Sequence, residues 1–176
     1  MLEWAHVDLD AAEIRLPIEH MKRRLSDKEA RRGEIAHIVP LARQAVDILQ
    51  GLRTVTGPTP ERPERRLVFP QPNHPDKCIS NVAVLNALRR MGYGEEEMTA
   101  HGFRALASTN LNELGYPKDF IEKQLAHKEG DSIRAAYNHA EYLEQRRAMM
   151  QDWADWLDAR REEARRRETE RGGKAE

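Results

Sequence analysis

Four side chains in the second half of the chain have types and spacings that could support chemistry. His101 and Arg104 are three residues apart near the start of a predicted helix, so they share one face of it. Imidazole and guanidinium groups transfer protons and bind anions. His127 falls at the end of the next predicted helix, where the dipole favours an imidazolium. Tyr137 stands beside two alanines and by itself indicates a core or interface aromatic. Taken one at a time, none of the four identifies a site.

Two helices with clear end signals would position the first three of these residues. Thr99 is a predicted N-cap for a helix that reaches Leu114 and stops at Gly115. Pro117 is predicted to open the next helix, because proline fits the first helical turn, and that helix extends to about His127.

The C-terminal third of the chain is predicted to be helical and then charged. A short helix starts at Asp131 or Ser132 and runs through Tyr137. One more helix closes a predicted domain that spans residues 1–157. The tail, residues 158–176, has almost nothing apolar beyond alanines and is predicted to be a frayed helix or disordered.

The first forty residues are predicted to form a small antiparallel sheet. Short runs with partial apolar–polar alternation predict strands at Trp4–Asp10, Glu13–Ile18 and Ile35–Pro40. A turn joins the first two strands, and a charged loop at about 23–34 precedes the third.

After the third strand the periodicity becomes helical. The first helix is predicted to bury one stripe, made of Leu41, Ala45, Ile48, Leu49 and Leu52. The proline-rich run at 71–77 is a predicted loop. A helix over Ile79–Met91 begins near Ser80 or Asn81 and stops at Gly92. The predicted fold class is therefore α+β and mostly α-helical, with a small three-stranded antiparallel sheet packed on a helical bundle.

Composition and net charge limit the functions that this chain could have. The chain has 176 residues, enough for one domain, and 29 basic against 30 acidic residues give a net charge of −1. This total is unusual for a nucleic-acid binder. Residues 15–43 nevertheless hold eight basic and four acidic side chains, which leaves a local basic face open.

Further function classes are excluded by what the sequence lacks. Cys78 is the single cysteine, which excludes an internal disulfide and a cysteine-rich zinc site. No run reaches the roughly 20 apolar residues of a membrane span, and the first residues do not resemble a signal peptide. We therefore expect a cytoplasmic protein with no membrane contact.

Taken together, the order and spacing of these residues resemble the catalytic domain of phage-type integrases, which are tyrosine recombinases. The resemblance rests on HIVPLARQA (37–45), ISN…LRRMGY (79–93), MTAHGFRALASTNLNELG (98–115) and residues 121–158, and it covers residues 3–158. Its most specific part is a His-x-x-Arg pair followed by a histidine ten residues before a tyrosine. The resemblance implies site-specific DNA recombination or integration through a 3′-phosphotyrosine intermediate. Double-stranded DNA is then the partner, and no metal or other cofactor is needed.

The resemblance also implies a role for each matching residue. Tyr137 matches the nucleophile that attacks the scissile phosphate. Arg104 matches an arginine that binds the non-bridging phosphate oxygens, and His101 is placed for proton transfer or phosphate contact. His127 matches a position that hydrogen bonds to the same phosphate.

Two of the residue assignments, those of the general acid and of the nucleophile, each have an alternative residue. Lys22 matches the lysine that protonates the leaving 5′-oxygen, with Lys28 as the alternative because the charged insert after Lys22 is long. Tyr142 is a rival nucleophile, although the run AAYN favours Tyr137.

The C-terminal helix carries an apolar face made of Met149, Met150, Trp153 and Trp156. It resembles a segment through which family members associate on DNA, and packing on the chain's own core is the alternative.

The chain departs from the family pattern at its start. The family's first catalytic arginine, in an Arg-x-Gly-Glu run, has no counterpart here, and neither has the helical domain that closes the clamp around DNA. Three functions therefore stay open: a strand-cleaving recombinase domain, a catalytically impaired remnant that only binds DNA or oligomerises, and a structural protein with no DNA role.

Overall fold

The computed structural model describes residues 1–20, 35–126 and 141–172. The strands in this part of the chain are β1 (Val7–Asp8), β2 (Glu13–Pro17), β3 (Ile35–Pro40), β4 (Pro70–Gln71) and β5 (His74–Cys78). The helices are α1 (Arg43–Thr56), α2 (Asn81–Arg90), α3 (Ala100–Glu113), α4 (Lys118–Gln124) and α5 (Leu143–Gly172). The predicted α+β class is confirmed. The predicted charged loop at 23–34 and the predicted short helix ending at 137 lie outside the described residues.

The N-terminal sheet is three-stranded and antiparallel, as the sequence predicted, and its strand order is β1-β2-β3. Its first strand is shorter than expected, because Trp4–His6 forms a 3-10 turn instead of extended chain. The Asp8 carboxylate accepts a hydrogen bond from the Ala11 N–H at 2.9 Å, which stabilises the turn into β2. Local side-chain hydrogen bonds thus decide where this sheet begins.

Helix α1 covers the first hydrophobic core, which contains Trp4, Val7, Leu49 and Val68. The predicted apolar stripe is wrong at one position, because Ile48 is 70% exposed while its neighbour Leu49 is buried. Adjacent helical residues differ by about 100° in direction, so only one of the two can face the core.

The predicted loop at 71–77 is wrong as well, since most of it belongs to a two-stranded hairpin formed by β4 and β5. Pro75 is tolerated in β5 because that strand has a single partner, so the missing N–H faces no neighbour in this sheet.

The caps predicted for α2 and α3 are confirmed. The Ser80 hydroxyl accepts a hydrogen bond from the first turn of α2, and the Thr99 hydroxyl does so for α3 at 3.0 Å. Gly92 and Gly115 follow the two helices with φ values of 95° and 82°, a left-handed conformation that glycine adopts without strain.

Helices α3, α4 and α5 share a second core around Leu111, Ile121 and Met149. Met150 and Trp153 pack against it, so the predicted apolar face of α5 lies on the chain's own core at Met149, Met150 and Trp153. Helix α4 ends at Gln124, earlier than predicted, and α5 continues beyond residue 157 to Gly172. None of the described helices has both the length and the apolar character of a membrane span.

A buried ion pair attaches α5 to the sheet. The Glu13 side chain is 4% exposed, and its Oε2 lies 2.7 Å from Nη2 of Arg147 on α5. Arg15 Nη2 lies 2.6 Å from the other carboxylate oxygen. Two guanidinium groups therefore compensate this buried carboxylate, and Arg147 thereby ties α5 to β2.

Candidate functional site

Two of the predicted site residues lie on the first turns of α3. His101 is exposed, and Arg104, three residues later, is half-buried on the same side of the helix. The Thr99 cap fixes where the helix begins and therefore where both side chains project.

Arg104 connects α3 to the end of α4. Its Nη2 donates a hydrogen bond to the main-chain carbonyl oxygen of Leu125, the residue that closes α4. A guanidinium at this position also complements the negative end of the helix dipole. This bond orients the guanidinium plane. Its acceptor, Leu125, is two residues before His127 in sequence.

Arg146 connects α5 to two other elements and is fully buried. Its Nη2 donates to the Ile38 carbonyl of β3 at 2.5 Å, and its Nε donates to Oε1 of Gln124 at 3.0 Å. Its Nη1 donates to the Glu141 carbonyl at 3.1 Å. We call this set of four residues the Arg146 junction.

The two chain ends that flank residues 127–140 meet at α4. Lys123 Nζ lies 2.7 Å from Oε1 of Glu141, and the Tyr142 ring lies 4.9 Å from that of Phe120. The last described residues before position 127 and the first after position 140 therefore lie beside the same helix.

The interior beside the Arg146 junction disfavours further positive charge. Burial and then the nearby Arg146 charge lower the pKa of His37, whose Nε2 is buried without a hydrogen-bond partner. Burial also lowers the pKa of Arg146, and Glu141 opposes that shift. His37, in β3, is therefore neutral at pH 7.

Two tyrosines near this region have structural partners. Burial and a hydrogen bond to Asp152 raise the pKa of Tyr116 to about 12, so its phenol stays protonated at neutral pH. Tyr142 is half-buried against Phe120 and has a φ of 47°. Both side chains serve packing between α4, α5 and the loop before α4.

The structure thus brings Arg104 to the end of α4 and leaves His101 on the surface beside it. Tyr137, His127, Lys22 and Lys28 lie outside the described residues. Within the described ranges, no group of three or more histidine, cysteine, aspartate or glutamate side chains could hold a metal ion.

Sequence reasoning missed the Arg146 junction. Arg146 stands in the run EQRRAMM, where an arginine pair on a charged helix indicates solvated surface. Nothing local distinguishes it from Arg147, because its burial depends on β3 and α4, more than 20 residues away along the chain.

Comparison with known proteins adds an independent finding. The model of the phage integrase family matches residues 1–144. The chain is 40% identical over 157 residues to the integrase of Shigella phage Sf6. The alignment covers 89% of this chain and 37% of that protein.

Two proteins of Escherichia coli (strain K12) show similar identity. Prophage integrase IntS is 41% identical over 155 residues, with coverage of 88% of this chain and 36% of IntS. Prophage integrase IntZ is 46% identical over 160 residues, with coverage of 90% of this chain and 35% of IntZ. The chain therefore spans little more than a third of the length of these relatives. No solved structure matches it.

Proposed function

This chain belongs to the phage integrase family, and on that premise we propose that it cleaves and rejoins double-stranded DNA in site-specific recombination. The reaction proceeds through a 3′-phosphotyrosine link in the cytoplasm. Because that link keeps the energy of the phosphodiester bond, rejoining needs neither ATP nor a metal ion.

The proposed chemistry assigns one step to each predicted residue. The phenol oxygen of Tyr137 forms a bond to the scissile phosphorus while the bond to the 5′-oxygen breaks. Lys22 gives its proton to that leaving oxygen, and His101 moves the phenol proton. Arg104 and His127 donate hydrogen bonds to the non-bridging oxygens, where negative charge grows in the transition state. In rejoining, a 5′-hydroxyl attacks the same phosphorus and releases the tyrosine.

The bond from Arg104 to the Leu125 carbonyl is the observation that best supports this proposal. A planar guanidinium can donate two parallel hydrogen bonds to a phosphate, and it stabilises a transition state most when its orientation is already fixed. The residue that accepts this bond, Leu125, is two residues before His127 in sequence.

Two observations support Tyr137 as the nucleophile. Tyr137 is four residues before Glu141 in sequence, and Glu141 is held to α4 by Lys123. Tyr142 and Tyr116 have structural partners in Phe120 and Asp152.

Trapping of the covalent intermediate tests the proposal. A pool of duplexes with randomised core sequences, each carrying a nick beside the core, lets the cleaved 5′-end diffuse away so that the adduct accumulates. We expect an adduct that resists denaturation and maps to Tyr137. Tyr137→Phe should abolish it, whereas Tyr93→Phe, a change at an exposed tyrosine, should not.

Each other outcome has a definite meaning. An adduct that persists in Tyr137→Phe and disappears in Tyr142→Phe would move the nucleophile to Tyr142. Salt-sensitive DNA binding without any adduct would support the DNA-binding module instead of the recombinase.

We also propose self-association on DNA through α5. Leu157 is 40% exposed, next to Trp156, which stacks on Trp153 with ring centroids 5.2 Å apart. An apolar surface of this kind favours contact with a second copy. Sedimentation of the DNA complex should show more than one copy per site, and Leu157→Asp should reduce that number.

A further inference from the structure

A fully buried arginine with a weak ion pair needs an explanation. Arg146 is 0% exposed, and its ion pair with Glu141 spans 3.9 Å to a carboxylate that is half exposed. Burying a guanidinium is unfavourable unless hydrogen bonds replace its water. Here the replacement comes from Ile38, Gln124 and Glu141, on three different parts of the chain.

We propose that Arg146 is a positioning residue for DNA cleavage, which acts by holding the backbone on both sides of residues 127–140 against β3. This inference rests on the proposed function. Arg146 lies nine residues after Tyr137 and has no assigned contact with DNA.

The partners of Arg146 each adjoin a segment that carries a predicted catalytic residue. Gln124 precedes the Leu125 carbonyl that Arg104 holds. Glu141 follows the segment that contains Tyr137. Ile38 is in β3, the first described strand after the segment that contains Lys22. One guanidinium therefore holds together three parts of the chain that are followed or preceded in sequence by segments with proposed catalytic residues.

Backbone conformation at the two flanks supports this role. Ala126 has a φ of 49° and Tyr142 a φ of 47°, a left-handed conformation that is strained for a non-glycine residue. Such residues persist where neighbouring contacts hold them. Arg104 bonds to the carbonyl directly before Ala126, and Arg146 bonds to the carbonyl directly before Tyr142.

Arg147 provides a matched control on the same helix. It donates to the Ala11 carbonyl at 2.9 Å and to Glu13 at 2.7 Å, so it also ties α5 to the sheet. Its hydrogen-bond partners lie on the turn before β2 and at the start of β2, and its other ion pair, with Glu144 at 3.7 Å, stays within α5. Loss of Arg147 removes a comparable number of hydrogen bonds, none of them to Gln124 or to Glu141.

The test compares Arg146→Met, Arg146→Lys and Arg147→Met in the full chain. Thermal denaturation first defines a temperature at which each variant is folded. If Arg146→Met does not fold, the cleavage rate is measured on Arg146→Lys, which keeps a hydrogen-bond donor. Single-turnover cleavage of a nicked duplex selected from the randomised pool then gives the rate, and titration of the same duplex gives the dissociation constant.

We expect both Arg146 variants to lower the cleavage rate about 10- to 100-fold, because a displacement near 1 Å of a reacting group has that effect. Their dissociation constants should stay within about threefold of the original chain. Arg147→Met should keep the cleavage rate within about twofold. Equal losses in the Arg146 and Arg147 variants, or no loss in either, would overturn the proposal.

Hydrogen exchange separates failure of this proposal from failure of the proposed function. Without Arg146, the amides of residues 124–126 and 142–143 should exchange faster, while those of β1 and β2 stay protected. Unchanged exchange at both flanks would overturn the positioning role whether or not the chain cleaves DNA. A chain that forms no adduct before any substitution would instead refute the proposed function.

Discussion

Lys123 Nζ lies 2.7 Å from Oε1 of Glu141, which ties the last turn of α4 to the first described residue after position 140. The Leu125 carbonyl that Arg104 holds is two residues further along the chain. The proposed phosphate-binding group and both ends of the segment that contains Tyr137 are therefore fixed to one short helix. Four predictions follow from this site and from the cores around it.

Replacement of Arg104 by lysine should lower the single-turnover cleavage rate about 100- to 1,000-fold. Lysine keeps the positive charge but cannot make two parallel hydrogen bonds from a planar group. Arg90→Lys, at an exposed position on α2, is the control and should leave the rate unchanged. A rate within threefold of the original chain in Arg104→Lys would contradict the phosphate-binding role.

Stability should fall as the pH is lowered from about 7 to about 5, in part because of His37. Burial lowers the pKa of folded His37, whereas in the unfolded chain it keeps its ordinary value of 6.5. The unfolded state then binds more protons below that value, so the free energy of unfolding decreases. Denaturant titrations should show a shallower decrease in His37→Gln than in His74→Gln, an exposed control. Equal slopes would show that His37 is protonated in the folded state.

The Tyr116 phenol should ionise late in an alkaline titration followed by absorbance, since its pKa is about 12. In the unfolded chain the phenol ionises near 10, so this group contributes stability that is lost as the pH rises from 10 to 12. The late absorbance change should vanish in Tyr116→Phe and persist in Tyr93→Phe. Tyr116→Phe should also lower the free energy of unfolding by about 1 kcal/mol at neutral pH, because the hydrogen bond to Asp152 is lost.

Leu49→Ala should reduce the free energy of unfolding by about 2–4 kcal/mol, because it leaves a cavity beside Trp4 and Val68. Ile48→Ala, one residue earlier and mostly exposed, should change it by about 0.5 kcal/mol or less. Similar losses in the two variants, measured in urea, would mean that α1 faces the core differently.

Features set by neighbouring residues could be predicted from the sequence. The caps at Ser80 and Thr99 and the stops at Gly92 and Gly115 depend on interactions within one turn. The three-stranded sheet was also predictable, because its order follows the order of the strands along the chain.

Features set by contacts between distant parts of the chain could not be predicted from the sequence. Apolar periodicity placed Ile48 and Leu49 on one stripe, and only the position of the sheet decides which is buried. Arg146 and Arg147 are identical in type and adjacent in sequence, yet one contacts α4 and β3 and the other contacts Glu13. The candidate site shows the same contrast between local and distant features. The spacing of the motif indicated His101 and Arg104, but it did not indicate the Leu125 carbonyl that orients Arg104.

Helix α5 has different surroundings along its length. Asp158 Oδ2 still accepts a hydrogen bond from Gln44 at 2.9 Å, whereas ion pairs further along, such as Arg165–Glu162 and Arg167–Glu163, join residues three or four apart within the helix. The fourteen residues from 159 to 172 span about 20 Å as a helix. A fluorescent probe attached at the far end of this rod would sit well clear of the cores, and energy transfer from it could count and orient copies of the chain without disturbing the fold.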